Sequence, residues 1–116
     1  MFREQRKFPR YDVEFEVEYA YSDSTCSLFD RSATKNISRG GVSFLVHNIV
    51  RPGSLINVEM KIPGQKKILA ALCKLVWKKD CDDIGHKKLG GLKILQMRTT
   101  DRHKLNDYIC RLSNTV

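Results

Sequence analysis

The sequence predicts an all-β fold, six short strands closing into an antiparallel barrel, followed by one C-terminal helix. Three observations point there. Residues 13–21, VEFEVEYAY, alternate apolar and acidic or small side chains with a period of two, the pattern of a half-buried strand. Further strand-like runs recur between turn clusters at short spacing, as in antiparallel sandwiches and barrels. Only the last segment changes period, with Leu105, Ile109 and Leu112 on one helical face. Closure removes exposed sheet edges, which favours a barrel over an open sheet.

Taken in order, the first strand points Val13, Phe15, Val17, Tyr19 and Tyr21 to the core and Glu14, Glu16 and Glu18 to water. SDSTCS is a turn, and residues 28–36 form a second strand that alternates only weakly. After SRGG, a third strand covers 42–47. RPGS at 51–54 is a turn in which proline fixes φ and Gly53 is free to take positive φ. A fourth strand spans 55–62, PGQK turns it into a fifth over 67–79, and DCDDIGHKK is read as polar loop before a sixth over 89–95. The helix starts at Thr99 or Thr100 as N-cap, with Asp101 in its first turn where the macrodipole favours an anion.

A chain of 116 residues is one domain able to bury a core without disulfide staples. Its net charge of +8 favours anionic partners: nucleic acid, nucleotide, anionic lipid or an acidic protein face. No run approaches the length of a membrane-spanning helix, and MFREQRKFPR has no apolar signal-peptide core. Cys26, Cys73, Cys81 and Cys110 include no C-x-x-C pair, and Cys73 and Cys110 sit among apolar neighbours as small buried hydrophobes. A reducing cytoplasmic setting with free thiols is the expectation.

No nucleophile motif, zinc-protease motif or phosphate loop is present, and His47, His86 and His103 lie in separate segments, so no enzyme is predicted. A zinc set drawn from Cys73, Cys81, His86 and Cys110 lacks the usual close ligand pairing. Asp80, Asp82 and Asp83 lack the glycine and glutamate of a calcium loop. No cofactor or metal is expected.

Two stretches carry binding chemistry. EQRKFPR places Arg6 and Arg10 ahead of the first strand, and Pro9 restricts the backbone so as to aim Arg10 toward the barrel. NISRGG, residues 36–41, sets Asn36 and Ser38 beside Gly40 and Gly41 between two strands. Those side chains can shape the turn through local bonds, and a glycine can supply positive φ or a bulge. The same short residues let a ligand approach the backbone closely.

The two motifs in this order resemble those of the PilZ domain, a bacterial receptor module for cyclic di-GMP. Its R-x-x-x-R reads here Arg6-Lys7-Phe8-Pro9-Arg10, and its D/N-x-S-x-x-G reads Asn36-Ile37-Ser38-Arg39-Gly40-Gly41. KLVWKK, GGLKIL and the terminal helix agree as well, so the resemblance covers essentially the whole chain. It implies a PilZ-type six-stranded antiparallel barrel (residues 13–98), an arginine arm (1–12) and a C-terminal helix (99–113). It also implies cyclic di-GMP held by Arg6, Arg10, Asn36, Ser38 and Gly41, with Gln5, Arg39 and Gly40 as further candidates.

Arginine suits such a ligand because it forms bidentate bonds to phosphate or guanine and stacks on bases. Asn36 and Ser38 can meet guanine's polar edge. Two departures stand out. Asn36 occupies a position where Asp is common, and an amide accepts with one group where a carboxylate accepts both N–H donors. Gln5 precedes the first arginine, where a further arginine could add contacts, and it leaves one ligand or a stacked pair open. Arg39 is read as solvated, and Trp77 as core or barrel surface rather than a stacking platform. The expected function is a receptor whose arm is ordered by ligand and signals to an unidentified downstream protein. The alternatives are a small basic barrel binding nucleic acid, disfavoured because Phe15, Tyr19 and Tyr21 read as core, and a PilZ-like protein-interaction module without nucleotide.

Overall fold

The computed structural model describes residues 8–80 and 85–114. Six strands, β1 (Glu16–Ser22), β2 (Ser27–Ile37), β3 (Gly41–His47), β4 (Leu55–Met60), β5 (Leu69–Lys79) and β6 (Lys87–Met97), precede one helix, α1 (Thr99–Ser113). They close into a barrel in the order β1-β2-β3-β6-β5-β4, every neighbouring pair antiparallel. The six expected strands and the helix are all present. The loop expected up to residue 88 is shorter, because Lys87 and Lys88 pair with His47 and Val46 as the start of β6. Cys81, Asp82 and Asp83 lie outside the described residues.

Alternation in the sequence becomes the two faces of the wall. Phe15, Val17, Tyr19 and Tyr21 are buried as expected. Phe44, Val46, Ile56, Val58, Cys73 and Leu75 meet them from the other strands. Burying Tyr19 pushes its hydroxyl pKa up to about 12. The same oxygen accepts the His47 backbone N–H at 2.9 Å, so the phenol also ties β1 to the end of β3. Among the described glycines, positive φ falls in turns: Gly53, Gly64 and Gly85 at 93°, 86° and 67°.

The chain entering β1 is anchored before the strand begins. Tyr11 and Ile37 exchange both backbone hydrogen bonds at 2.9 Å. The buried Thr34 hydroxyl donates to the Val13 carbonyl (2.7 Å) and accepts the Phe15 N–H (2.9 Å). Residues 11–15 are thereby laid along β2, although β1 itself starts only at Glu16.

The helix buries Leu105, Tyr108 and Ile109, and the Tyr108 ring meets Phe15 edge-on at 6.0 Å. Burial of Leu105 and Ile109 contributes about 1.5–3 kcal/mol each, enough to hold α1 on the barrel. Two expectations change here. The N-cap is Arg98, with no side-chain cap, and the Asp101 carboxylate accepts the Ala70 N–H instead. The anchor at this end is therefore tertiary rather than local. Cys73 is buried, as expected, with its pKa pushed up to about 12 by desolvation, whereas Cys110 is exposed on the outer side of α1. The period that buries Leu105 and Ile109 turns residue 110 outward. No described helix is long and apolar enough to cross a membrane.

Candidate functional site

Two register shifts build a cleft on the outer wall of the barrel. On β2, Thr34 pairs with Phe44 but Asn36 with Ser43, so Lys35 is an extra residue. Thr34 consequently points into the core while Asn36 reaches the outer face, a re-aiming that bulges often perform. On β5, Leu75 pairs with Leu92 but Trp77 with Gly91, so Val76 is extra and Trp77 turns outward after a run of inward odd-numbered residues. Ser43 in turn pairs with Gly91. Asn36, Ser43, Gly91 and Trp77 thus form one row across four adjacent strands.

That row floors a cleft of about 350 Å³, lined also by Phe8, Arg10, Ser38, Gly40, Gly41 and Lys93. The volume lies in the range of small-ligand sites. Trp77, half-buried, lies against the bare α-carbon of Gly91, and any β-carbon at 91 would overlap the indole. The Lys79 ammonium sits 5.9 Å from the ring centroid. Arg10 and Lys93 are exposed at the cleft, and no carboxylate is among the described lining residues, so the local field favours an anion.

The glycines of the turn serve close approach rather than unusual dihedrals. Neither Gly40 nor Gly41 has positive φ, contrary to one sequence expectation. A β-carbon on Gly40 would come within 3.1 Å of the Phe8 ring, and one on Gly41 would overlap the Leu92 carbonyl oxygen. Gly40 therefore seats the arm, and Gly41 lets β3 lie close to β6. The Ser38 hydroxyl accepts the Gly40 and Gly41 N–H groups, both at 3.2 Å, and donates to the Gly41 carbonyl at 3.5 Å, which shapes the turn at the cleft.

Of the candidate residues, Arg10, Asn36, Ser38, Gly40 and Gly41 come together around one cavity. Gln5 and Arg6 lie outside the described residues. Arg39 is absent from the described lining: its guanidinium approaches the Cys110 sulfur at 3.6 Å and its carbonyl accepts from Arg102 at 3.1 Å. Sequence reasoning missed Ser43, Gly91 and Lys93 and set Trp77 aside. The usable signal was the pairing of a lone tryptophan on one strand with a Gly-Gly step on the next.

In class the molecule is a small closed antiparallel β-barrel with one docked C-terminal helix and an anion-favouring cleft on its outer wall. The chain belongs to the PilZ domain family, whose model matches residues 4–111. Its fold is that of the inhibitor of motility MotI/DgrA of Bacillus subtilis (TM-score 0.73, 17% identity, 97% of this chain and 54% of that one). It is likewise that of the PilZ domain of Escherichia coli YcgR, solved with c-di-GMP (TM-score 0.67, 15% identity, 95% and 92%). The PilZ domain of CeSA from a cellulose-synthesizing bacterium aligns at TM-score 0.60 with 14% identity over 91% and 99%. The chain spans about half the length of MotI. Among curated proteins none matches it by sequence.

Proposed function

We propose that this chain is a cyclic di-GMP receptor that binds its ligand between the arginine arm and the outer-wall cleft, and passes the signal to a protein partner. The observation that carries the reading is the convergence of Arg10, from the arm, with Asn36, Ser38 and Gly41, from the β2–β3 turn, on one cavity with a tryptophan wall. Membership of the PilZ family and the likeness to a YcgR domain holding c-di-GMP support it.

The chemistry matches the ligand's parts. Cyclic di-GMP offers two phosphodiester charges, two polar guanine edges and flat aromatic faces. Arg10 and Arg6 supply planar cations for phosphate and base. Asn36 and Ser38 face the guanine edge, Trp77 offers a flat apolar wall, and Lys93 adds a point charge. Phe8, packed on Gly40, ties the arm to the same turn, so the ligand bridges two segments already in contact. Fixing Arg6 and Arg10 over the cleft presents a new face to a downstream protein.

Calorimetric titration with cyclic di-GMP, run beside cyclic di-AMP, GTP and single-stranded DNA, tests the reading. Saturation by cyclic di-GMP alone at micromolar concentration, about 8 kcal/mol of binding, is the expected result. Binding only to DNA, weakening steeply with salt, would overturn it.

A further inference from the structure

We infer that Ser43 is a specificity-determining residue of the cleft: its hydroxyl accepts the exocyclic 2-amino group of guanine and completes the base recognition that Asn36 begins. The inference rests on the receptor reading above and deepens it. Ser43 is 3% exposed, and its hydroxyl is a buried side-chain oxygen with no hydrogen-bond partner among the described residues. Buried polar groups are nearly always paired, so an orphan at a ligand cleft marks a bond left for something else. It lies on the outer face, between Asn36 on β2 and Gly91 on β6, and belongs to the cleft lining.

The register explains the division of labour. Residues directly opposite on neighbouring antiparallel strands hold their β-carbons about 5 Å apart, so the Asn36 and Ser43 side chains can converge on one base edge. Guanine's edge carries two adjacent donors, the ring N1–H and the 2-amino group. A carboxylate at 36 would accept both, whereas the amide of Asn36 has one accepting oxygen. Ser43 supplies the second acceptor, while its own proton is free to rotate away. Adenine and hypoxanthine lack the 2-amino group, so Ser43 reads the feature that separates guanine from either. The hydroxyl is screened from water, so a rim side chain must yield to admit the base. The Trp77 indole, lying across Gly91, is the neighbour placed to do so, and side-chain rotations of this kind are fast.

The test compares cyclic di-GMP with cyclic di-IMP, which lacks both 2-amino groups, on the full chain. Ser43→Ala should weaken cyclic di-GMP binding about three- to tenfold, the worth of one hydrogen bond, and leave cyclic di-IMP binding unchanged. Adding Asn36→Asp to Ser43→Ala should restore the loss, since the carboxylate accepts both donors. Without ligand, Ser43→Ala should unfold at or above the parent's temperature, because it removes an unpaired buried hydroxyl. Equal affinity of parent and Ser43→Ala for cyclic di-GMP overturns the assignment while leaving the receptor reading intact. An equal loss for both dinucleotides, or a lowered unfolding temperature without rescue by Asn36→Asp, shows a merely structural serine and also overturns it. A parent that binds neither dinucleotide overturns the receptor reading itself, and this assignment with it.

Discussion

The indole of Trp77 rests on the α-carbon of Gly91, in the one cross-strand pair where a β-carbon would overlap the ring. This contact joins sequence to site. The extra residue Val76 turns Trp77 out of the core, and the missing side chain at 91 gives it a flat seat beside Ser43 and Asn36. Trp77 is the chain's single tryptophan, so its fluorescence reports on the cleft alone.

Replacing Gly91 by alanine should therefore displace the indole. Its φ is not positive, so the whole cost is the collision with the ring, in the range of about 1–3 kcal/mol for overpacking. Thermal unfolding should show a lowered midpoint, and the emission maximum should shift to the red as the ring moves into water. A variant with unchanged emission and unchanged midpoint would show that the ring is not held there.

Arg10 and Arg39 belong to the two motifs but turn to different neighbours, the cleft and Cys110 on α1, so their substitutions should separate. Arg10 faces the cleft, and loss of a charged hydrogen bond is worth about 1.5–3 kcal/mol, so Arg10→Ala should weaken cyclic di-GMP binding at least about tenfold. Arg39 turns to Cys110 on α1, so Arg39→Ala should change affinity less than about threefold. Titration of the two variants side by side checks this, and the reverse order would refute the placement of both side chains.

Much of the fold was legible because burial imposes a period. Phe15, Val17, Tyr19 and Tyr21 follow the alternation without interruption, and Leu105 and Ile109 follow the helical repeat. The two motifs also marked their residues: Arg10, Asn36, Ser38 and Gly41 line one cavity. What the sequence hid depends on single extra residues. Parity along β5 sends Trp77 inward with Leu75, and only the irregularity at Val76 reverses it. Ser43 reads as part of an apolar strand, and its lack of a partner is a three-dimensional fact. The roles of Gly40 and Gly41 were hidden for the same reason, since what a glycine makes room for lies elsewhere in the chain. Cys110 shows the converse error: apolar neighbours in sequence on a helix are not neighbours in burial.

Thr34 is the hinge between core and arm. Thr34→Val keeps its shape and removes its hydroxyl, leaving the Phe15 N–H and the Val13 carbonyl without their bonds. The cost should be on the order of 2 kcal/mol, since unsatisfied buried groups pay their desolvation in full. Urea unfolding should show a lower midpoint with an unchanged slope. A midpoint equal to the parent's would mean that water replaces both bonds.

The β1–β2 turn supplies a pH dependence of known sign. The Asp23 carboxylate accepts the Tyr21 hydroxyl at 2.6 Å, and the Thr25 N–H, the Thr25 hydroxyl and the Cys26 N–H, each at 2.8 Å. These bonds, the Tyr21 hydroxyl foremost, hold its carboxyl well below the ordinary 3.8. A carboxyl depressed in the folded state contributes stability that is fully present above its unfolded value and is lost as pH falls toward the folded one. Asp23→Asn should therefore lower the unfolding midpoint at pH 7, and the gap to the parent should close as pH drops below about 4. Thermal unfolding of both proteins from pH 7 to pH 2 measures the gap. A difference that stays constant through this range would show that the lost stability comes from the shape of the turn rather than from the charge of Asp23.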